Sequence, residues 1–249
     1  MTHPKERLQI TILTFTALAV ILAITAPSSA QTQIIWQGHT WNVTSGGMAG
    51  VAPGSPKNVT IDSKGYLHLR IANRGGNWTA GELFTVDNLG FGTYQWVVEG
   101  DIWNMDAVTV LGLFPYGPAN GIGVDGSNEI DIEFSQWDNT CGCNADFTIY
   151  PAKLRQGNSS FNRDYTVKDG TSLTTARMQW SSTGVVFTVM SGEQPIGTTA
   201  HVLQTATYQT SDAQKIPQHP LPVGMNLWAF NAFPSKDQLV VVRSFQYAP

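Results

Sequence analysis

Short runs in which apolar and polar residues alternate recur along the chain, and each run ends at a cluster of Gly, Pro, Asn or Asp. Because successive side chains of a β-strand point to opposite faces of its sheet, this period of two predicts strands joined by turns. The predicted strands are 66–71, 92–99, 108–114, 129–134, 146–150, 176–180, 185–190 and 239–246. No stretch has the pattern of a long helix, so the sequence predicts an all-β sandwich of two antiparallel sheets.

The composition agrees with a sandwich rather than a helical bundle. The chain has 249 residues with 24 Gly, 13 Pro and 8 Trp, which indicates many turns and large aromatic surfaces. Its formal net charge of -4 argues against nucleic-acid binding, which depends on basic residues that neutralise phosphates. Residues 191–222 have the weakest pattern and are rich in Thr, Gln and Pro, so we predict a long surface loop or an irregular excursion there.

Residues 1–30 have the features of a secretory signal peptide. Lys5 and Arg7 precede the nearly uncharged segment 8–26, and small residues that suit a signal peptidase follow up to Ala30. We therefore predict cleavage near Ala30 and a secreted or periplasmic monomer, residues 31–249, with no stable membrane association. The alternative is an uncleaved anchor, because the apolar run approaches the roughly 20 residues that span a bilayer.

Cys141 and Cys143 are the two cysteines of the chain, with one residue between them. In an oxidising compartment they would form a bridge that fixes one loop and does not connect distant parts of the fold. Free thiols are the alternative. A metal site would need more ligands than these two cysteines supply, so we predict neither a metal nor a cofactor.

The segment 128–134, with the sequence Asn-Glu-Ile-Asp-Ile-Glu-Phe, carries the strongest functional signal. Strand alternation places Glu129, Asp131 and Glu133 on one face and apolar residues on the other. Three acids without an intervening cation repel one another, which suggests a purpose, although a solvated outer face is the simpler interpretation. Paired carboxylates hydrolyse glycosidic bonds, and a third acid between them can raise the pKa of its neighbours.

With its surroundings, this strand resembles glycoside hydrolase family 16, the β-glucanases with a concanavalin-like jelly-roll fold and a concave substrate cleft. Residues 129–133 match the unbulged Glu-X-Asp-X-Glu motif of the lichenases and of the xyloglucan- and chitin-active transglycosylases. Other matching segments are 80–84, 91–94, 113–116, the Met-Asn-Leu-Trp of 225–228, and the last strand at 241–245. The resemblance covers most of residues 31–249, but 151–222 match poorly.

The resemblance implies a role for each acid: Glu129 as the nucleophile, Glu133 as the general acid/base, and Asp131 as the residue that tunes them. It implies a retaining mechanism through a covalent glycosyl-enzyme. We therefore predict a secreted endo-β-glucanase that cleaves internal β-1,3 or mixed β-1,3-1,4 bonds of a polysaccharide. A transglycosylase on the same scaffold is one alternative. A lectin-like module that binds carbohydrate without chemistry is the other.

The substrate-binding predictions depend on the same resemblance and on aromatic rings, which stack on sugar rings. They are Asn226, Trp228, Tyr116, Tyr150, Glu82 and Trp137. For the two tyrosines and Trp228, the alternative is packing in the core. For Trp137, the alternative is packing within its loop. Trp103 has no firm counterpart in the family.

The sequence also departs from the family pattern at two positions that bear on ligands. Phe84 stands where lichenases carry an arginine, so a polar contact to sugar is missing there. Val240 stands where the family often has an aspartate for structural calcium, in line with the prediction of no metal.

Overall fold

The alternating runs form strands in the computed structural model, which describes residues 31–117, 128–150, 158–168 and 170–249. The predicted signal peptide, residues 1–30, lies outside the described residues. Helical structure in the described residues is confined to four single 3-10 turns at 56–58, 102–104, 137–139 and 213–215. None of the helices in these ranges is long and apolar enough to cross a membrane.

The first sheet contains the acid strand and is called the site sheet. All its neighbouring strands are antiparallel. In spatial order the site sheet consists of β1 (Thr32–Trp36), β2 (His39–Val43), β6 (Gly81–Leu89), β15 (Leu221–Ala229), β8 (Thr109–Pro115), β9 (Glu129–Phe134), β10 (Ala145–Tyr150) and β11 (Phe161–Tyr165). The acid strand β9 therefore lies inside the sheet, with two neighbouring strands that fix its register.

The second sheet, called the back sheet, is also antiparallel. Its spatial order is β14 (Val202–Gln209), β13 (Gly184–Ser191), β12 (Leu173–Ser181), β7 (Gly92–Glu99), β16 (Gln238–Ala248), β4 (Leu67–Arg74) and β3 (Val59–Ile61), with β5 (Asn77–Thr79) paired to β4. The prediction of a two-sheet antiparallel sandwich is confirmed.

The apolar residues of the two sheets meet between them and form the core. Phe147 of β10 stacks on Phe187 of β13, with ring centroids 4.7 Å apart, and Trp41 of β2 packs edge-on against Phe245 of β16 at 5.6 Å. Burying one such side chain contributes about 1.5–3 kcal/mol relative to leaving it exposed. Since these pairs join the two sheets directly, they hold the site sheet by its inner face and leave its outer face for the carboxylates.

The prediction of one long loop at 191–222 is wrong in its middle part. Residues 202–209 form β14, an edge strand of the back sheet, and β15 begins at Leu221. The edge strand is largely exposed along its length, so its Thr and Gln residues give no clear apolar alternation. The segment before it is a loop, which the buried Arg177 holds through hydrogen bonds to the carbonyls of Pro195 and Thr198.

Candidate active site

Strand β9 places its three carboxylates on the outer face of the site sheet, as the alternation predicts. Glu129 and Glu133 are partly exposed, whereas Asp131 between them is only 4% exposed. The alternate side chains point into the core and are fully buried: Ile130, Ile132 and Phe134. Core packing of these three residues thus fixes the direction of the three acids.

The neighbouring strands determine what faces each acid. On β10, Asp146 lies opposite Glu133, Thr148 opposite Asp131, and Tyr150 opposite Glu129. On the other side Gly112 of β8 lies opposite Glu133. Side chains directly opposite on antiparallel strands have Cβ atoms about 4.5–5.5 Å apart. Because Gly112 has no side chain, Asn226 Oδ1 and the Phe114 ring approach β8 beside Glu133, where a Cβ atom would lie 2.5 Å and 3.1 Å from them.

Burial and mutual repulsion raise the pKa of two of these acids. The pKa of Asp131 lies well above its ordinary value, first because it is buried and then because Glu129, Glu133 and Asp146 are close; it also shares a hydrogen bond with Glu129. Burial, followed by the charges of Asp146 and Glu129, raises the pKa of Glu133 well above its ordinary value. Both acids therefore favour the protonated form, as an acid catalyst needs near neutral pH.

Asp146 is a fourth carboxylate of this face that the sequence analysis missed. It is 2% exposed, and its two oxygens accept hydrogen bonds from Trp137 Nε1 at 2.9 Å and from Thr148 Oγ1 at 2.9 Å. Burial raises its pKa to about 6, against the effect of those two donors. The signal was available, because Asp146 has the same strand parity as Tyr150, which the sequence analysis assigned to the cleft.

Glu82 and Asn226 form a second polar group on the same face. The backbone N–H of Gly112 donates to Asn226 Oδ1 at 3.1 Å, and Asn226 Nδ2 donates to Glu82 Oε2 at 3.3 Å. Thr44 Oγ1 donates to the other Glu82 oxygen at 2.8 Å. Both residues are buried, and burial raises the pKa of Glu82. Because an N–H can only donate, Gly112 fixes which end of the Asn226 amide faces Glu82.

A pocket of about 470 Å³ joins this group to the acid strand. Its lining includes four residues that the sequence analysis assigned to the site: Glu82, Tyr116, Glu129 and Asn226. Phe84 and Phe114 complete one wall with Tyr116, and the three ring centroids are 5.7–6.4 Å apart. Tyr116 thus lies at the pocket and not in the sandwich core, and Phe84 makes this wall apolar.

The remaining predicted aromatics lie at the other end of the acid strand or beside it. Trp228 and Trp137 are both partly exposed and meet edge-on at 6.0 Å, with Phe230 packed against each. Trp137 contacts the acid face directly through its hydrogen bond to Asp146, and its contact with substrate stays a prediction. Tyr150, partly exposed, faces Glu129 from β10. Trp103, by contrast, is buried against Phe134.

The loop that follows β9 positions Trp137. Trp137, Asp138 and Asn139 all have left-handed φ angles, between 47° and 60°, which are uncommon for residues other than glycine. The Trp137 N–H donates to Ser135 Oγ at 2.9 Å, and a disulfide joins Cys141 to Cys143 just beyond the turn. The predicted loop disulfide is thus present in the structure, and it lies in the same loop as Trp137.

Gly224 offers a test of how the pocket wall is packed. A Cβ atom at this position would lie 2.6 Å from both Phe84 and Phe114, closer than packed carbon atoms approach. We expect Gly224→Ala to lower the free energy of unfolding by about 1–3 kcal/mol, since both rings must move. Gly90→Ala is the matched control, because its Cβ would meet only Pro220 at 3.5 Å. Equal denaturant stability of the two variants would contradict this account of the wall.

The fold is shared with solved β-glucanases. A β-glucanase from Bacillus licheniformis is 20% identical with a TM-score of 0.60, over 84% of this chain and 92% of that one. A β-1,3-glucanase from Mycobacterium marinum is 19% identical with a TM-score of 0.61, over 90% and 93%. An endo-glucanase of glycoside hydrolase family 16 from Bacteroides ovatus, in complex with G4G3G-2F-DNP, is 10% identical with a TM-score of 0.62, over 84% and 94%.

At this level of identity the likeness establishes the fold, which is the jelly roll of the family 16 glucanases. No protein-family model matches the chain, and no curated protein matches it by sequence. The prediction of the jelly-roll fold is therefore confirmed, and the roles of individual residues stay predictions.

Proposed function

We propose that this protein is a secreted endo-β-glucanase of the family 16 type, which hydrolyses internal β-1,3 or mixed β-1,3-1,4 bonds with retention of configuration. The observation that carries the proposal is the outer face of β9, where Glu129, Asp131 and Glu133 lie in one row beside a pocket. The glucanases that share the fold support a glucan substrate.

In the first step Glu129 attacks the anomeric carbon while Glu133 gives its proton to the departing glycosidic oxygen. The new bond joins a Glu129 oxygen to the sugar, and the bond to the leaving sugar breaks. Glu133 suits the acid role because burial and neighbouring charges raise its pKa. Asp131 shares a hydrogen bond with Glu129 and is itself held protonated, so it can orient the nucleophile without adding charge.

In the second step water releases the sugar from Glu129. Glu133, now ionised, takes a proton from the water, whose oxygen bonds to the anomeric carbon as the bond to Glu129 breaks. The two acids thereby return to their starting states. If a sugar hydroxyl takes the place of water, the same site becomes a transglycosylase.

The substrate lies against aromatic rings on both sides of the acid row. Tyr116 and Phe84 line the pocket at the Glu129 end, and Trp228 lies beyond the Glu133 end. Flat aromatic faces suit the apolar faces of sugar rings. Glu82 and Asn226 supply the polar contacts of the pocket, although their mutual hydrogen bond restricts how they turn towards a sugar.

Export accords with two features of the chain. Residues 1–30 have the pattern of a signal peptide, and disulfides such as Cys141–Cys143 form and persist mainly in oxidising compartments. Polysaccharides are too large to enter cells freely, so an enzyme that cleaves their internal bonds acts outside the cytoplasm.

The proposal is tested by incubating the purified protein with lichenan, laminarin, xyloglucan, chitin oligomers, agarose and carrageenan. We expect short oligosaccharides from lichenan or laminarin and none from the other polymers, measured by reducing-end and product-size assays. The Glu129→Ala protein serves as the control. Products longer than the supplied acceptor would indicate transglycosylation instead. Retention on a glucan affinity gel without any product would indicate a binding module and contradict the proposal.

A further inference from the structure

Asp146 lies where it can act on the proposed acid catalyst. Antiparallel pairing of β9 and β10 puts it directly opposite Glu133, on the outer face of the site sheet. Its side chain is 2% exposed, so water screens its charge poorly. An acid at this position repels Glu133 at short range, and the core packing of both strands holds the two residues opposite each other.

Hydrogen bonds decide which member of the pair carries the charge. Trp137 Nε1 and Thr148 Oγ1 each donate to one oxygen of Asp146, at 2.9 Å, and such donors stabilise the carboxylate form. Within the described part of the chain, Glu133 has no comparable hydrogen bond to its carboxyl. One proton shared between the two acids is therefore held on Glu133, and the negative charge is held on Asp146.

The surrounding acids act differently on the two members of the pair. Glu129, which faces the pair from β9 together with Asp131, raises the pKa of Glu133 through its charge. Asp164 of β11, opposite Asp146 on the far side, raises the pKa of Asp146 and so opposes the two donors, but it is exposed and solvent screens its charge. Tyr150 of β10 and Tyr165 of β11, the other titratable groups packed nearby, both have raised pKa values that result from burial first and from these acids second. Among the described residues no lysine, arginine or histidine forms a salt bridge with Asp131, Glu133 or Asp146.

We propose that Asp146 is a positioning residue of the site, which acts through Glu133: its anchored, buried carboxylate keeps the proton on Glu133 until the glycosidic oxygen takes it. The proposal rests on the function proposed above and deepens it. When Glu133 has given up the proton, two carboxylates lie on paired positions, and the one on Asp146 is shielded from water. Their repulsion favours the return of a proton to Glu133 from the attacking water, so Asp146 assists both steps.

The test is the pH dependence of hydrolysis by Asp146→Asn. Asparagine has nearly the same shape, and it can still accept from Trp137 while the Thr148 hydroxyl turns to accept from its amide. Without the Asp146 charge, the pKa of Glu133 falls, and less of it is protonated as pH rises. We expect the alkaline limb of the kcat/KM profile to move down by about one pH unit.

The matched control is Asp164→Asn, the same change one strand farther from Glu133 at an exposed position. We expect less than about a third of the Asp146→Asn shift from it, because solvent screens the exposed charge. Thr148→Val is the second variant in case Asp146→Asn does not fold. It removes one donor from Asp146 and should move the alkaline limb in the same direction by a smaller amount.

A direct titration separates this proposal from the proposed function. The carboxyl ¹³C signals of protein labelled at glutamate report ionisation without any substrate, and the signal lost in Glu133→Gln identifies Glu133. We expect its midpoint to fall in Asp146→Asn. An unchanged midpoint and an unchanged alkaline limb would overturn the proposal, as would an equal loss of rate at every pH. A protein inactive on all glucans would contradict the enzyme assignment, while the titration would still decide the role of Asp146.

Discussion

Glu129→Ala is expected to lower glucan hydrolysis by more than about a thousandfold, a rise in the barrier of about 4 kcal/mol. The variant lacks the oxygen that would bond to the anomeric carbon, and Asp131 is a poor replacement because it is buried and its pKa is raised well above its ordinary value. Since Glu129 is partly exposed, its loss leaves the core intact. The measurement is kcat/KM on an aryl β-glucoside and on the glucan that the wild type cleaves.

Sodium azide should restore part of the activity of Glu129→Ala on the aryl glucoside. Azide fits the space that the missing carboxylate leaves and attacks the anomeric carbon from the same side, so the product is an α-glycosyl azide. Glu193→Ala, at an exposed glutamate of the loop after β13, is the control and should remain fully active without azide. Wild-type activity in Glu129→Ala, or a glycosyl azide of β configuration, would assign the nucleophile elsewhere.

The sequence could predict which face of the sheet the three acids of β9 occupy, because the residues of that one strand determine it. Ile130, Ile132 and Phe134 must enter the core, and a period of two then forces the intervening acids to the other face. The partners of those acids depend on the register between strands. Asp146 comes to Glu133 only through the pairing of β9 with β10, and the short pattern of each strand does not specify that pairing.

The packing roles of two glycines at the site could not be predicted from the sequence, for a physical reason. Gly112 lies inside β8, within the strand predicted at 108–114, and Gly224 lies inside β15, but the sequence analysis assigned neither glycine a role. A Cβ on Gly112 would lie 2.5 Å from Asn226 Oδ1, and one on Gly224 would meet two aromatic rings. Each glycine makes room for side chains that are more than a hundred residues away in the sequence. The reason for the glycine is therefore visible only in the folded sheet.

The left-handed turn at Trp137 is a third feature that the local sequence conceals. Asp138 and Asn139 are of the types that adopt positive φ angles more often than other non-glycine residues, but a tryptophan rarely does, so the sequence does not indicate three positive φ angles in succession. Two hydrogen bonds accompany this conformation, from the Trp137 N–H to Ser135 Oγ and from Trp137 Nε1 to Asp146 Oδ1. The sequence could therefore place Trp137 near the site without showing that it binds a carboxylate.

Glu133→Gln is expected to lower hydrolysis of the natural glucan by about 10²–10⁴-fold, the usual contribution of a general acid or base. Glutamine keeps the shape of the side chain, but it cannot give a proton to the leaving sugar oxygen. Formation of the glycosyl-enzyme from an aryl glucoside with an acidic phenol should fall far less, because that phenol leaves without a proton. The measurement is the burst of phenol release set against the steady-state rate on both substrates, with Glu193→Gln as the control.

The pH dependence of hydrolysis tests the acid role of Glu133 in a second way. Burial and the charges of Asp146 and Glu129 raise the pKa of Glu133, so in the wild type the acid form persists above the ordinary range of a glutamate and activity falls as pH rises through that raised pKa. In Glu133→Gln no proton is lost from this position, and the alkaline fall should disappear. A similar loss on both substrates, or an alkaline limb that survives in the variant, would mean that another group is the acid. This outcome differs from that of Glu129→Ala, whose loss does not depend on the leaving group, so the two variants together separate nucleophile from acid.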